Sequence, residues 1–64
     1  MKSIGAMIRQ IEGLADTPDV TAWENEFIES IVTRTHHGKA TTTLTDGQIT
    51  SIQRIYKKHF GDAD

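Results

Sequence analysis

Two adjacent histidines, His36 and His37, are the side chains of this chain whose chemistry best suits a metal ion. Imidazole nitrogens are common zinc ligands, but a structural zinc site needs four ligands and usually includes cysteine thiolates. The chain has no cysteine, and its only other histidine is His59. Because adjacent side chains also diverge in direction, we expect no metal site here.

The segment from Gly38 to Thr41 reads Gly-Lys-Ala-Thr and is similar to the end of a phosphate-binding loop. The complete motif needs an earlier glycine at position 33, because its glycines let backbone amides approach the phosphates. This chain has Thr33 at that position, inside a predicted helix. We therefore expect no nucleotide cofactor.

Paired carboxylates are the remaining candidates for catalysis, since an acid and a base held together can move protons. Two such pairs have helical spacing: Glu12 with Asp16, and Glu26 with Glu29. Any solvated acidic helix face shows the same spacing. A catalytic pair also needs a cleft, and a chain of 64 residues can hardly enclose a substrate pocket of about 300 Å³ or more. We therefore predict that the protein is not an enzyme and has no catalytic or cofactor-binding residue.

Charge is distributed unevenly along the chain, although the net charge is only −2. The segment 12–29 contains six acidic residues and no lysine or arginine, whereas basic residues dominate 30–60. Helix macrodipoles account for much of this pattern, because they favour acids near helix starts and bases near helix ends. The charged surfaces remain the best candidates for binding.

The leading functional hypothesis is a protein-binding module whose acidic surface contacts a basic patch on a nucleic-acid enzyme, in place of phosphates. The candidate residues are Asp16, Asp19, Glu26 and Glu29. The alternative is direct DNA or RNA binding by the third predicted helix, opposite its isoleucines, through Thr50, Arg54, Lys57 and Lys58. An isoelectric point near 5.8 argues against that alternative. So does the polar segment 35–44, which is much longer than a helix-turn-helix turn.

The spacing of apolar residues predicts three helices that position these groups, over about 3–14, 22–35 and 46–60. Ser3 is a candidate cap for the first helix, and the turn formers around Pro18 end it. The other two helices begin with capping boxes, in which a threonine and a Glu or Gln three residues later exchange hydrogen bonds with each other's amides. These boxes are Thr21 with Glu24 and Thr45 with Gln48.

The predicted fold is all-α: a small three-helix bundle, one domain over 1–64, with a long polar loop between helices 2 and 3. We expect helices 2 and 3 to form the best-defined hairpin and helix 1 to pack across it. Gly5 and Gly13 weaken the first helix, Gly38 suits a left-handed turn in the loop, and Trp23 should pack at the edge of the apolar arc. The predicted core comprises Met7, Ile8, Ile11, Phe27, Ile31, Ile49, Ile52 and Tyr56.

Hydropathy predicts where the protein resides. No apolar run approaches the roughly 20 residues of a membrane span, and the first residues lack the apolar core of a signal peptide. We therefore expect a cytoplasmic protein with no membrane partner. So small a chain buries little surface alone, and the Ile28 and Val32 edge of helix 2 is a candidate for homodimer formation.

One further pattern spans about Val20 to Phe60: W-E-x-x-F-x-x-S-I, a polar loop, then L-T-x-x-Q-x-x-x-I-x-x-I-Y-x-K-H-F. This series resembles short proteins encoded by bacteriophages and prophages. The resemblance implies a protein that acts in the host cell and binds host or phage machinery of replication, transcription or defence. It implies binding in preference to catalysis and names no partner.

Overall fold

A computed structural model describes residues 3–61, which form three α-helices and no strand. The helices are α1, Ile4–Glu12; α2, Ala22–Arg34; and α3, Asp46–Phe60. The predicted all-α class is therefore confirmed. Within this part of the chain, no helix has both the length and the apolar character needed to cross a membrane.

All three helices begin at the caps that the sequence predicts. The Ser3 hydroxyl accepts a hydrogen bond from the Ala6 amide at 3.2 Å. In α2, the Glu24 amide donates to the Thr21 hydroxyl at 3.1 Å, and the Thr21 amide donates to Glu24 Oε1 at 2.9 Å. Thr45 and Gln48 repeat this arrangement in α3, with the same two distances. Both capping boxes are therefore complete.

The core consists mainly of isoleucines contributed by all three helices. Its buried members are Met7, Ile8, Ile11, Ile28, Ile31, Ile52, Ile55 and Tyr56. The predictions for Phe27 and Ile49 are wrong, since both are only half-buried and Ile28 and Ile55 are buried instead. In α2 the reason is that Glu24 occupies a buried position, so the buried stripe runs through Glu24, Ile28, Ile31 and Thr35 and leaves Phe27 at its edge.

The same orientation of α2 contradicts the prediction that Ile28 and Val32 form a homodimer contact. Ile28 has no exposed surface, and Val32 is half-buried against the core. A buried side chain cannot contact a second copy, so Ile28 and Val32 form no spare apolar edge. The exposed large apolar residue in the described part of the chain is Trp23.

The first helix lies at the centre of the bundle. Contacts of α1 with α2 and with α3 are both extensive, whereas α2 and α3 approach each other at fewer points. The expectation that α2 and α3 form the best-defined hairpin is therefore wrong, whereas the expected packing of α1 across both helices is confirmed. The weak helix propensity of α1 is offset by packing against both neighbours, which is the usual source of helix stability in proteins.

Two glycines allow α1 to pack directly against the loop between α2 and α3. A Cβ atom added to Gly5 would lie 2.5 Å from the Gly38 carbonyl oxygen, and one added to Gly38 would lie 2.6 Å from the Gly5 carbonyl oxygen. Gly38 also has the predicted left-handed backbone, with φ of +89°. We call this backbone approach the Gly5–Gly38 contact; it leaves no room for a side chain at either position.

The two adjacent histidines have structural roles at the end of α2. His36 and His37 have φ angles of +51° and +63°. Their amides donate to the carbonyl oxygens of Thr33 and Val32, at 3.4 and 2.9 Å, which is the pattern of a Schellman motif with a histidine in place of the usual glycine. The His37 ring then reaches Glu12 of α1, with Nδ1 2.9 Å from Oε2.

Thr35 stabilises the same turn through hydrogen bonds of its buried side chain. Its side chain is completely buried. The hydroxyl donates to the Ile31 carbonyl oxygen at 2.7 Å and accepts from the Gly38 amide at 3.0 Å. Both hydrogen-bonding functions of the buried hydroxyl are therefore satisfied, and the loop is positioned for the Gly5–Gly38 contact.

Candidate functional site

A groove of about 330 Å³ opens to solvent between the first turn of α2 and the middle of α3. It is not enclosed, but its volume reaches the range of ligand pockets, which the short chain was not expected to form. We call it the α2–α3 groove. Its lining residues are Thr21, Trp23, Glu24, Ser51, Arg54, Ile55 and Lys58.

Trp23 forms the aromatic wall of the α2–α3 groove. Its indole ring stacks on Phe27, with centroids 5.4 Å apart and planes 5° from parallel. The residue nevertheless remains 59% exposed, so the expectation that Trp23 packs at the edge of the arc is correct only for its contact with Phe27. Tryptophan is one of the residue types enriched at the hot spots of protein interfaces.

Glu24 lies at the floor of the groove and is only 6% exposed. Besides the capping bond to Thr21, its Oε2 accepts a hydrogen bond from Lys58 Nζ at 3.1 Å. His59 Nε2 lies 3.7 Å from the same oxygen. The Thr21 backbone hydrogen bond, followed by the interactions with Lys58 and His59, lowers the pKa of Glu24 even though burial acts in the opposite direction.

His59, near the end of α3, lies beside Glu24 at the floor of the groove. Its side chain is 13% exposed. Its Nε2 atom is buried and has no hydrogen-bond partner among residues 3–61. That nitrogen lies 3.7 Å from Glu24 Oε2, which is close enough for an electrostatic contact but beyond hydrogen-bonding distance.

Two cations line the rim of the groove. Lys58 keeps 57% of its side chain exposed while it contacts Glu24. Arg54 is exposed, and no ion pair or side-chain hydrogen bond joins it to another residue in the described range. Because one buried carboxylate faces two cations, the mouth of the groove carries an excess of positive charge.

Only two of the four residues predicted to bind nucleic acid line the α2–α3 groove. All four are exposed on α3, as the helical spacing predicts: Thr50, Arg54, Lys57 and Lys58. Arg54 and Lys58 line the groove, whereas Thr50 and Lys57 are not part of its lining. The structure therefore brings half of the predicted basic face together with Trp23.

The predicted acidic residues lie elsewhere on the surface, and all four are exposed: Asp16, Asp19, Glu26 and Glu29. Asp16 is fastened to α2, since its amide donates to Asn25 Oδ1 at 2.7 Å and its Oδ1 accepts from Asn25 Nδ2 at 3.3 Å. At roughly 100° per helical residue, Asn25 and Trp23 point about 200° apart around α2. The Asp16 turn and the α2–α3 groove therefore occupy different sides of the helix.

Sequence reasoning missed Trp23, Ser51 and Ile55 as parts of one site. One signal for Trp23 was available. Glu24 falls in the middle of the apolar side of α2 on a helical projection, and consecutive helical side chains diverge by roughly 100°. If Glu24 points into the bundle, Trp23 beside it must point towards the surface. No comparable local signal identifies Ser51 or Ile55, because their proximity to Trp23 depends on how α2 and α3 pack.

The site is suited to binding through shape, aromatic surface and charge. In the described part of the chain, no group of three or more His, Cys, Asp or Glu side chains is arranged to hold a metal ion. Comparison of the chain with protein-family models, curated proteins and solved structures finds no match.

Proposed function

We propose that this protein is a non-enzymatic module that binds another protein through the α2–α3 groove. The observation that carries the proposal is the exposed indole of Trp23 on the wall of a preformed groove. An aromatic side chain offers 150–250 Å² of burial, so covering the exposed part of Trp23 would contribute roughly 3 kcal/mol. That is enough for one side chain to dominate an interface.

The groove supports this proposal better than the acidic residues do. It combines a concave shape, an aromatic wall and charged groups at fixed positions. Exposed acids such as Glu26 and Glu29 are equally explained by ordinary solvation, and isolated surface charges contribute little. The resemblance to phage-encoded proteins supports a partner from the replication, transcription or defence machinery of the host or the phage.

Direct nucleic-acid binding is the second candidate, because Trp23, Arg54 and Lys58 share one groove. Single-strand binding proteins combine aromatic platforms with cations in this way. However, Lys58 already contacts Glu24, so the groove can neutralise about one or two phosphates. The resulting salt dependence on a single strand has a slope of only about −0.7 to −1.4, which corresponds to weak binding. A protein partner therefore fits the groove better.

Affinity capture with matched variants tests the proposal. The immobilised protein is incubated with bacterial lysate, both untreated and nuclease-treated, in parallel with Trp23→Ala and Glu26→Ala. Glu26 is the control because it is exposed on α2 and outside the groove. We expect specific proteins on the wild type and on Glu26→Ala that are absent from Trp23→Ala.

Three results would contradict the proposal. Equal capture by Trp23→Ala would show that the groove is not the contact surface. Loss of capture with Glu26→Ala alone would favour the acidic surface. Capture that disappears only after nuclease treatment would favour nucleic-acid binding.

A further inference from the structure

We propose that the segment bound in the α2–α3 groove is acidic: a carboxylate of the partner pairs with Arg54 while a neighbouring apolar side chain lies against Trp23. This inference rests on the proposed function and specifies the chemistry of the partner. It predicts a short protein segment in which an aspartate or glutamate stands beside a large apolar residue.

Arg54 supplies the charge for this recognition. It lies on the groove rim with its guanidinium group unengaged by other described residues. A guanidinium group presents paired N–H donors that match the two oxygens of a carboxylate, which gives a short, charge-assisted and directional contact. An exposed arginine beside a tryptophan is therefore well placed to bind an acidic side chain.

Glu24 does not cancel this positive charge at the mouth of the groove. Its carboxylate is buried and accepts hydrogen bonds from the Thr21 amide and Lys58 Nζ. A lysine ammonium has three N–H donors, so Lys58 retains donors for a partner while it contacts Glu24. The exposed groups at the rim are thus donors, and an acceptor on the partner complements them.

Trp23 supplies the apolar half of the site. The indole is held by its stack on Phe27, so little side-chain entropy is lost when a partner covers it. Ile55 closes the floor nearby and is itself buried. The volume of about 330 Å³ lies at the lower end of ligand pockets, which suits one or two side chains of an extended segment.

Asp16, on the opposite side of α2, makes the groove selective for an acidic segment over a basic one. Asp16, which is hydrogen-bonded to Asn25 on that side, would attract a basic segment to its own surface, away from Trp23. An acidic segment is repelled there and finds complementary charge at Arg54 and Lys58. Juxtaposing like charges is an effective way to exclude wrong binding modes.

An unbiased peptide selection tests the inference. A library of random twelve-residue peptides is selected on the wild-type protein, and the enriched peptides are measured against Arg54→Ala, Trp23→Ala and Arg9→Ala. Arg9 is an exposed arginine on α1, outside the groove. Trp23 is the only tryptophan of the chain, so its fluorescence reports occupancy of the groove directly.

We expect enriched peptides that carry Asp or Glu next to Leu, Ile or Phe and that shift the Trp23 emission to shorter wavelength. Their affinity should fall about tenfold with Arg54→Ala, because a charge-assisted pair is lost. It should also fall with Trp23→Ala and stay unchanged with Arg9→Ala. This combination would support the inference.

Four results would overturn it: enrichment without acidic residues, affinities unaffected by Arg54→Ala, no enriched peptide at all, or tighter Trp23-dependent binding of random single-stranded oligonucleotides. The proposed function is judged separately by the lysate capture. A Trp23-dependent protein partner whose contact segment lacks acids would refute the inference and leave the proposed function standing. Absence of any such partner would refute the proposed function.

Discussion

The two sides of the bundle differ in how closely their backbones approach. On the α1 side, the Gly5–Gly38 contact brings two backbones together with no side chain between them. On the other side, the start of α2 and the middle of α3 are separated by the α2–α3 groove. One side is closed around the core, and the other is open to solvent.

We infer from this difference that one side stabilises the fold and the other is available for binding. The α1 side buries isoleucines and ties the loop through His37 and Glu12, so its residues should determine stability. The groove side keeps Trp23 and Arg54 exposed, so its rim should contribute little to folding. Substitutions on the two sides can test this division.

The largest effect is expected at the closed side. Gly5→Ala places a methyl group 2.5 Å from the Gly38 carbonyl oxygen, and such overpacking costs about 2 to 3 kcal/mol. For a chain of 64 residues, the total stability is on the order of 3 to 10 kcal/mol. We therefore expect a large drop in the urea midpoint.

Gly13→Ala is the matched control for this measurement. Gly13 has ordinary helical geometry, with φ of −65°. A Cβ atom there would lie 3.4 Å from the Gln10 carbonyl oxygen, which the neighbouring turn can accommodate. The substitution should be neutral or stabilise the protein by up to about 1 kcal/mol. Equal effects at Gly5 and Gly13 would contradict the Gly5–Gly38 contact.

The next largest loss of stability is expected at the two capping boxes. They have the same hydrogen-bond geometry, but Glu24 is buried and contacts Lys58, whereas the Gln48 box is exposed. Glu24→Ala removes both the capping bond and the partner of Lys58, and we expect a loss of about 1 to 2 kcal/mol. Gln48→Ala removes only the corresponding capping bond to Thr45, so about 0.5 to 1 kcal/mol is expected. Urea unfolding of both variants provides the comparison, and a larger loss at Gln48 would contradict it.

The capping boxes also show how much of this fold was predictable from sequence. Because a box involves residues only three positions apart, Thr21 and Thr45 identify the starts of α2 and α3 without any tertiary information. The ends of these helices also fall within one residue of prediction, at Arg34 and Phe60. Local chemistry is sufficient for these features.

Features that depend on distant residues were not predictable in the same way. Gly5 reads as a weakness of α1 until Gly38 is placed against it. The rotation of α2 that buries Ile28 in preference to Phe27 follows from burial of Glu24 beneath α3. For the candidate site, α3 spacing correctly predicted an exposed basic face, but its proximity to Trp23 depends on packing between helices.

A smaller, pH-dependent effect is expected from Glu24→Gln, which retains the capping bond and removes the charge. In the folded protein the pKa of Glu24 is lowered below its ordinary value of 4.5. The ionised carboxylate therefore contributes stability that is complete above about pH 4.5 and is lost as the pH falls through the lowered pKa. The Glu24→Gln variant lacks this contribution at every pH.

Thermal unfolding between pH 7 and pH 3 measures this difference. We expect the wild type to exceed Glu24→Gln in melting temperature at pH 7, and the two curves to converge as the pH falls below 4.5. Other carboxylates titrate in both proteins and cancel in the difference. A gap that stays constant down to pH 3 would show that the charge of Glu24 does not stabilise the groove floor.

The smallest effect on stability is expected at Trp23, although its effect on binding should be the largest. Trp23→Ala removes a residue that is 59% exposed and a stack on Phe27. Alanine is also the better helix former, so the net change in unfolding free energy should stay within about 0.5 kcal/mol. Urea unfolding followed by circular dichroism measures it without relying on tryptophan fluorescence. A loss above about 2 kcal/mol would assign Trp23 to the core. A small loss would mean that the indole is exposed at little benefit to the fold, as a binding residue should be.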